Sequence, residues 1–339
     1  MSARALEAIS ESRREVAAEA LAAVCGPGVD HLQPISGGVS GALICRVDAG
    51  GRPWLLRLEA IDTPGLRDIP RAYACMRAAA DAGVAPRLHL ADADKGVAVM
   101  EFIPLRPLAE FPGGEPALVP ALGELARRVH AIEPPFPPPR ADYPALVDFM
   151  MGAVRRTGAF RQGLLDPHVD GLARVRAAYR FEGPAVSCHN DPNRMNVLFD
   201  GERLWLVDWE LSFRNDPLID VGILAENFAP SPPAADALLA SWLGREPDPA
   251  LRIRYALARQ LSRAFYACAL LSIAGPAGTK LDDLSAPTPE EFTKALAAGE
   301  LKVGTPELMR ALGKMQLASF LAGLNAPEVR EVLAGAGGR

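Results

Sequence analysis

The chain has 339 residues and a mass of 36.1 kDa. Of its residues, 49% are hydrophobic and 23% are charged. This composition excludes a disordered or fibrous protein, and the length exceeds what one hydrophobic core usually fills, so we expect two lobes. The 36 Lys and Arg against 41 Asp and Glu give a net charge of −5. Because no long basic run is present, we do not expect nucleic acid as a partner.

The cysteine pattern and the N-terminal charges bear on where the protein works. The five cysteines are odd in number, widely scattered and without CxxC spacing, which disfavours a disulfide framework and a zinc site. Charged residues interrupt the whole N-terminal stretch, so it is neither a signal peptide nor a membrane span. We therefore expect a cytoplasmic protein without a membrane partner.

The first third of the chain predicts a leading helix and then a small lobe of about five strands and one helix. We bound this lobe, with its leading helix, at residues 1–103. The predicted elements are, in order, a helix over 5–24, strands over 44–47 and 54–58 joined by a hairpin turn at 48–52, a helix over 69–82, and strands over 88–90 and 97–102.

The rest of the chain, residues 104–339, predicts a larger and mainly helical lobe. A stretch rich in proline and glycine at 107–120 predicts a linker, and the proline-rich segment at 133–139 predicts a stiff surface spacer. Two late helices begin with Thr-Pro-Glu, which supplies a cap, a first-turn proline and an acid that the helix dipole favours. The predicted helices cover 121–132, 219–228, 251–272, 289–298 and 306–324.

The middle third of the chain holds a set of polar residues that can carry chemistry. Asp191 and Asn196 lie in a predicted loop, and Asp208 follows a predicted hairpin of two short strands, at 197–199 and 204–207. This order brings the three side chains to one edge. Their oxygens suit Mg²⁺, and a carboxylate that does not bind the metal can accept a proton from an attacking hydroxyl. An isolated Asp or Asn is usually a turn residue or a helix cap, but the ordered set is far less common by chance.

The pattern His-x-Asp, then Asn, then a later Asp resembles the catalytic and metal-binding loops of the kinase-like phosphotransferases. That family includes the aminoglycoside phosphotransferases and the choline and ethanolamine kinases. The Asp-Trp-Glu triplet at 208–210 and the stretch at 215–222 are similar to bacterial choline kinase-like proteins. The resemblance spans most of the chain and implies an α+β, bilobal protein-kinase-like fold, with a small β-rich N-terminal lobe and a larger, mainly helical C-terminal lobe.

The resemblance also implies a role for each polar residue. Asp191 would be the catalytic residue that orients or deprotonates the acceptor hydroxyl, Asn196 and Asp208 would bind Mg²⁺, and ATP would be the phosphoryl donor. His189 would be a structural brace and not the base. Asp220 would support the catalytic loop rather than take part in chemistry.

The N-terminal lobe offers residues for the nucleotide. A glycine-rich turn lets backbone N–H groups approach phosphate oxygens, although such a turn alone is usually only a hairpin. This turn consists of Ser36, Gly37, Gly38, Val39, Ser40 and Gly41. The resemblance aligns Arg57 with the kinase lysine, and arginine is a permanent cation able to reach the α- and β-phosphates. The helix that follows contains no glutamate to hold this cation, and Asp68, just before the helix, is the nearest acid. The sequence leaves open whether the pairing is arranged differently or phosphate positioning is weaker.

The segment that ends the first lobe resembles the kinase segment joining the two lobes. In that comparison the backbone at Glu101 and Ile103 would hydrogen-bond the adenine edge. An ordinary buried strand ending at a proline explains the segment about equally well, and only its position in the order of motifs favours the nucleotide interpretation.

The acceptor is less well defined. Asp191, Glu210 and Asp216 would focus negative potential and favour a small cationic acceptor, although solvation explains Glu210 and Asp216 equally well. A quaternary ammonium group would stack on aromatic rings, of which Trp209 is the nearest to the motif. The aromatic residues that could form such a cage, most of which a core would also explain, are Trp209, Phe213, Phe228, Trp242, Tyr255, Phe265 and Tyr266.

The sequence therefore predicts a Mg²⁺- and ATP-dependent kinase that phosphorylates a hydroxyl group of a small metabolite, such as an amino alcohol of the choline or ethanolamine kind. An aminoglycoside phosphotransferase is the alternative within the same enzyme class. A nucleotide-binding pseudokinase module is the alternative from another class, because Arg57 and the missing helix glutamate favour it slightly.

Overall fold

An antiparallel sheet forms the N-terminal part of the computed structural model, and most of the remainder is helical. The structure describes residues 8–26, 28–35, 41–60, 68–139, 141–181, 183–274 and 280–336. The predicted α+β class, with a small β-rich region before a mainly helical one, is confirmed. Among the described residues no helix combines the length and the apolar character needed to cross a membrane.

The N-terminal sheet has five antiparallel strands in the order β1-β2-β3-β5-β4. Two glycines with positive φ, Gly50 (62°) and Gly51 (76°), close the predicted hairpin, as a tight turn between two such strands requires. The elements of this region are α1 (Glu11–Cys25), β1 (His31–Pro34), β2 (Leu43–Ala49), β3 (Arg52–Leu58), α2 (Ile69–Asp81), β4 (Leu88–Asp92) and β5 (Val97–Glu101).

The two faces of β3 have different environments because side chains alternate along a strand. Trp54, Leu56 and Leu58 are buried in the core that α1 covers with residues such as Leu21. Arg57 points to the opposite face and is nevertheless buried, with 7% of its surface exposed. The alternation therefore places a buried charged residue on the face of β3 opposite its apolar side chains.

The later elements include nine helices and four short strands among the described residues. Four of the five helices predicted in this region lie within two residues of their predicted bounds. Four further helices, α4, α5, α7 and α11, were not identified by the sequence analysis. The elements are α3 (Glu115–His130), α4 (Tyr143–Arg156), α5 (Asp166–Ala178), β6 (Val186–Cys188), β7 (Val197–Phe199), β8 (Leu204–Leu206), β9 (Phe213–Asn215), α6 (Pro217–Phe228), α7 (Pro232–Leu243), α8 (Pro249–Ala274), α9 (Pro289–Ala297), α10 (Pro306–Leu324) and α11 (Pro327–Ala336).

The linker predicted at 107–120 is wrong from residue 115 onward, because α3 begins at Glu115. Proline is accepted in the first turn of a helix, where Pro116 lies, but Pro120 lies in the interior at a cost of about 3 kcal/mol. Burial of Leu118, Val119 and Leu122 on one side of the helix offsets that cost. The predicted spacer at 133–139 is also only partly right, because Phe136 is buried against Trp209 with ring centroids 5.9 Å apart.

The chain forms two compact units. The first consists of Met1–Pro138, Val186–Arg214 and Asn227–Gly244, and the second of Pro139–Ala185, Asn215–Glu226 and Arg245–Arg339. Within the first unit, backbone hydrogen bonds such as Leu206 N–H to the Val84 carbonyl (2.9 Å) tie later strands to the N-terminal region, and the division at residue 103 stays a prediction. Within the second unit, α8 packs against α10 and α4.

Candidate functional site

The loop that follows β6 is held by a residue that the sequence analysis did not identify. Asn190 has a φ of 63°, a left-handed conformation that Asn adopts more readily than most other non-glycine residues. Its side-chain amide donates to the carbonyls of Leu211 (3.0 Å) and Phe213 (3.3 Å). Asn190 is 1% exposed. The left-handed turn therefore directs the chain out of the core just before Asp191, and the sequence carries no separate signal for it.

His189 links this loop to the strand that precedes Asp208. Its Nδ1 accepts a hydrogen bond from the Asp191 N–H (3.3 Å), and its Nε2 lies 2.9 Å from the Val207 carbonyl. A neutral imidazole with its proton on Nε2 satisfies both contacts. The ring is fully buried and packs on Trp209, with centroids 4.6 Å apart. This geometry suits the predicted brace.

Both carboxylate oxygens of Asp191 accept hydrogen bonds from side-chain amides. Asn193 donates to Oδ1 (2.8 Å) and Asn196 donates to Oδ2 (3.1 Å). Asn196 also donates to the main-chain carbonyl of Asp191 (2.9 Å). Asn193, which the sequence analysis did not identify, therefore orients the carboxylate. Asp191 is only partly buried, so the carboxylate combines a fixed direction with access to a reactant.

Asp208 follows β8 after one residue, Val207, and Asn196 immediately precedes β7. The Val207 N–H donates to the Asn196 carbonyl (3.0 Å), which joins the two segments at that point. Asp208 has a φ of 67°, and its side chain is 27% exposed. Hydrogen bonds thus join Asp191 to Asn196 and Asn196 to Val207, the residue before Asp208, so the three side chains belong to neighbouring segments at the end of the β7–β8 hairpin.

Arg57 contacts three carboxylates. Its Nε is 2.6 Å from Glu59 Oε1, its Nη1 is 3.1 Å from Asp208 Oδ1, and its Nη2 is 3.6 Å from Glu210 Oε2. Burial lowers the pKa of Arg57, but the charges of Asp208 and Glu59 and the Glu59 hydrogen bond together raise that pKa above its ordinary value. The guanidinium is therefore a fixed positive charge beside Asp208.

The acid that pairs with Arg57 is Glu59 and not Asp68. Asp68 caps α2 instead, since its Oδ1 accepts from the Arg71 N–H (3.1 Å) and its Oδ2 lies 3.8 Å from Arg71 Nε. The sequence does contain a signal for Glu59, because residues two apart on a strand share a face. Glu59 was not identified because the resemblance led us to look for the acid on or near the helix.

The side-chain oxygens near Asp208 suit Mg²⁺, which prefers oxygen ligands. The nitrogen of the Asn196 amide is directed to Asp191, so its oxygen lies on the other side of the amide group. Asp208 adds a carboxylate, and three carboxylates share the one guanidinium of Arg57. A divalent cation would balance this excess of negative charge.

The predicted nucleotide residues are described only in part. Ser36, Gly37, Gly38, Val39 and Ser40 lie outside the described residues, whereas Gly41 is described and has a φ of 66°. Glu101 ends β5, and its N–H donates to the Arg87 carbonyl (2.9 Å). The Ile103 side chain is buried. The nucleotide contacts of these residues stay predictions.

The acids predicted to attract a cationic acceptor are committed to other partners. Glu210 faces Arg57, as described above. Within the second unit Asp216 is 1% exposed, accepts a hydrogen bond from the Tyr179 hydroxyl (2.6 Å) and lies 2.9 Å from Arg254 Nη2. Asp220 is buried on α6 in the same unit. The structure thus gives Asp216 a structural ion pair, which argues against its predicted role at a substrate.

Most aromatic rings of the predicted cage have other contacts in the structure. Trp209 is 1% exposed and packs in the core. In the first unit, Phe213 faces Arg71 at 5.6 Å and Phe228 faces Arg194 at 4.7 Å, and in the second unit Tyr255 faces Arg259 at 5.7 Å. The Trp242 indole donates to His130 Nδ1 (2.8 Å). The remaining two, Phe265 and Tyr266, also belong to the second unit.

Comparisons with known proteins identify the family of this chain. Residues 31–257, more than half of the chain, match the profile of APH, described as the phosphotransferase enzyme family. Two curated proteins, both Protein LicA of Haemophilus influenzae, are 44% identical over 55 residues, and the matched segment covers 21% and 16% of their lengths. The chain therefore spans only about a fifth of the curated relatives it matches.

Solved structures show the fold. A choline/ethanolamine kinase family protein from Mesorhizobium loti is 24% identical with a TM-score of 0.67, covering 95% of this chain and 98% of that one. A spectinomycin phosphotransferase, APH(9)-Ia, solved with ADP and spectinomycin, is 13% identical with a TM-score of 0.54, covering 95% and 98%. These likenesses establish the kinase-like fold.

Proposed function

Because the chain belongs to the APH phosphotransferase enzyme family, we propose that it transfers the γ-phosphoryl group of ATP to a hydroxyl group of a small molecule. The observation that carries this proposal is the connected set of Asp191, Asn196 and Asp208 beside the buried cation Arg57. Binding of a nucleotide alone does not need a carboxylate held as Asp191 is held, so this set favours an enzyme over a pseudokinase module.

In the proposed reaction the acceptor oxygen attacks the γ-phosphorus as the bond to the β–γ bridging oxygen breaks, which leaves ADP and a phosphate ester. Asp191 accepts the proton of the acceptor hydroxyl. The amides of Asn193 and Asn196 hold the carboxylate in one orientation while it does so. Positioning of this kind supplies a large part of the rate in phosphoryl transfer.

Asn196 and Asp208 would hold Mg²⁺ through their side-chain oxygens. When bound, the ion neutralises charge on the phosphate oxygens. Arg57 would contribute its positive charge to the α- and β-phosphates, together with the backbone of the predicted glycine-rich turn at 36–41. Arg57 contacts Asp208 (3.1 Å), so its guanidinium lies where it can interact with both this acid and the phosphates.

For the acceptor we propose an amino alcohol of the choline or ethanolamine kind. Support comes from the likeness to a choline/ethanolamine kinase family protein and to LicA segments, and the chain's own acids and aromatic rings add little to it. The likeness to a spectinomycin phosphotransferase supports an aminoglycoside as the alternative acceptor.

An acceptor panel tests the proposal. The purified full chain is incubated with ATP and Mg²⁺ together with choline, ethanolamine, several aminoglycosides or simple sugars, and ADP release is followed in a coupled assay. We expect one class of acceptor to stimulate ADP release, chelation of Mg²⁺ to abolish it, and ³¹P NMR to detect a phosphate ester. If ATP binds but no acceptor stimulates its consumption, the enzyme proposal is wrong and the nucleotide-binding module takes its place.

A further inference from the structure

Helix α2 provides no acid at the place where the kinase cation would need one. Its sequence contains a single acidic residue, Asp81, which is its last residue. Arg57 nevertheless has an acidic partner that is at least as buried as itself, since Glu59 is 5% exposed and Arg57 is 7% exposed.

The geometry of the pair fixes the plane of the guanidinium. Glu59 accepts from Arg57 Nε at 2.6 Å, a short charge-assisted hydrogen bond. With Nε held, the two Nη groups of the planar guanidinium point away from Glu59, where they meet Asp208 and Glu210 at the site. Glu59 therefore sets the direction in which Arg57 presents its positive charge.

The backbone of Glu59 is itself anchored. Its N–H donates to the Gly96 carbonyl (2.9 Å), in the turn that joins β4 and β5. Arg13 of α1, which is 9% exposed, donates from Nη2 to the same carbonyl (2.8 Å) and to the carbonyl of Lys95 (2.6 Å). The leading helix thus secures the turn on which Glu59 rests.

We propose that Glu59 is a positioning residue that holds Arg57 toward the triphosphate. From the end of β3, Glu59 would thus orient the phosphate-binding cation, a role that a helix glutamate would otherwise have. The proposal rests on the proposed function for the role of Arg57. Its distinctive consequence is that loss of the Glu59 charge weakens nucleotide binding more than it slows the chemical step, because Glu59 contacts Arg57 and not the reacting atoms.

The neighbouring strand offers a matched control. Arg46 and Asp48 of β2 have the same spacing and form an ion pair at 2.9 Å, but their side chains are 43% and 30% exposed. Exposed pairs of this kind contribute little to stability. Asp48→Asn therefore removes an acid from an equivalent strand pair without touching the site.

The test compares Glu59→Gln with Asp48→Asn in the full chain. The dissociation constant of MgATP is measured by titration, and KM for ATP and kcat are measured with the acceptor found in the panel. We expect Glu59→Gln to raise the dissociation constant and KM about ten- to a hundredfold with kcat changed by only a few fold, and Asp48→Asn to match the wild type. Glu59→Asp, which keeps the charge, should recover part of the affinity.

A double-mutant cycle separates positioning from a general structural effect. If Glu59 acts through Arg57, Glu59→Gln should have no further effect on ATP affinity in an Arg57→Met background, whereas independent damage to the fold would add to it. Wild-type ATP affinity in Glu59→Gln, or additive losses in the double variant, would overturn the proposal. The binding measurement needs no turnover, so a chain that binds ATP without phosphorylating any acceptor would refute the proposed reaction and still test the role of Glu59.

Discussion

Replacing Asp191 by Asn changes two properties at once, because both carboxylate oxygens accept hydrogen bonds. Asn193 donates to one oxygen at 2.8 Å and Asn196 to the other at 3.1 Å. A carboxamide offers one acceptor and one donor, so Asp191→Asn removes the proton acceptor and also sets two N–H groups against each other. A single substitution therefore cannot separate the chemical role of Asp191 from its role in ordering the loop.

The two effects have different sizes. Removal of a general base typically costs about 10²- to 10⁴-fold in rate. Loss of one hydrogen bond to a carboxylate costs about 1.5–3 kcal/mol, but solvent can replace the lost donor at the partly exposed Asp191, so only a fraction of that cost enters the barrier. We therefore expect Asp191→Asn to lower kcat by at least about 10²-fold, and Asn193→Ala, which removes one donor and keeps the carboxylate, to lower it by less than about tenfold.

Exchanging the two side chains makes the distinction sharp. The double variant Asp191→Asn with Asn193→Asp keeps the net charge and restores a complementary pair, since the new amide at 191 can donate to the new carboxylate at 193 and accept from Asn196. We expect this variant to fold as the wild type does and to stay at least about 10²-fold slower in steady-state turnover with saturating MgATP and acceptor. Recovery of kcat to within about tenfold of the wild type would refute the assignment of Asp191 as the proton acceptor and would leave it a loop-ordering role.

Two further predictions concern the scaffold. In Gly123→Ala the new Cβ would lie 2.7 Å from the Leu238 carbonyl oxygen on α7, so we expect urea denaturation to give an unfolding free energy about 1–3 kcal/mol lower than that of the wild type. Gly152→Ala is the control, because its nearest atom belongs to the flexible Arg156 guanidinium (3.1 Å), and we expect its unfolding free energy to be unchanged or higher by up to about 1 kcal/mol. Equal losses of stability in the two variants would contradict this reasoning. Burial lowers the pKa of His168 below its ordinary value of 6.5, so the stability it contributes is complete above that pH and falls as the pH drops below it, while the unfolded chain takes up a proton first. His168→Phe should flatten the decline in melting temperature between pH 6.5 and 5, and an unchanged slope would show that other groups cause it.

The strands and the order of polar residues were predictable because each depends on local pattern. The hairpin of β2 and β3 follows from two glycines between apolar runs, and the β7–β8 hairpin follows from a turn in which Asp200 Oδ1 accepts from the backbone of Glu202 (2.8 Å) and Arg203 (2.8 Å). Once the two hairpins are placed, the neighbourhood of Asp191, Asn196 and Asp208 follows. The roles assigned to these three residues stay predictions until the variants are measured.

What the sequence did not reveal depends on contacts between distant segments. The part of α3 between Glu115 and Pro120 has the composition of a linker, and it is helical because its apolar side packs within the first unit, where Gly123 lets α7 approach closely. Local propensity gives way to tertiary packing in such a case. Asp68 was expected to serve Arg57 for a related reason: proximity to a helix in sequence says nothing about which side chain reaches the cation.

Two residues in a left-handed backbone conformation flank the segment that carries the candidate site. Among the described residues two non-glycine residues have positive φ, Asn190 (63°) and Asp208 (67°), and they lie at the two ends of the segment that carries Asp191 and Asn196. A left-handed conformation costs a non-glycine residue about 1–2 kcal/mol, so it persists only where surrounding contacts hold it. Asn190 is held by its bonds to the Leu211 and Phe213 carbonyls, and Asp208 is held by Arg57. Because Glu59 fixes Arg57, the cation that would serve the nucleotide also stabilises the turn that presents Asp208. The positioning of the phosphates and that of the metal ligand would therefore depend on one buried ion-pair network.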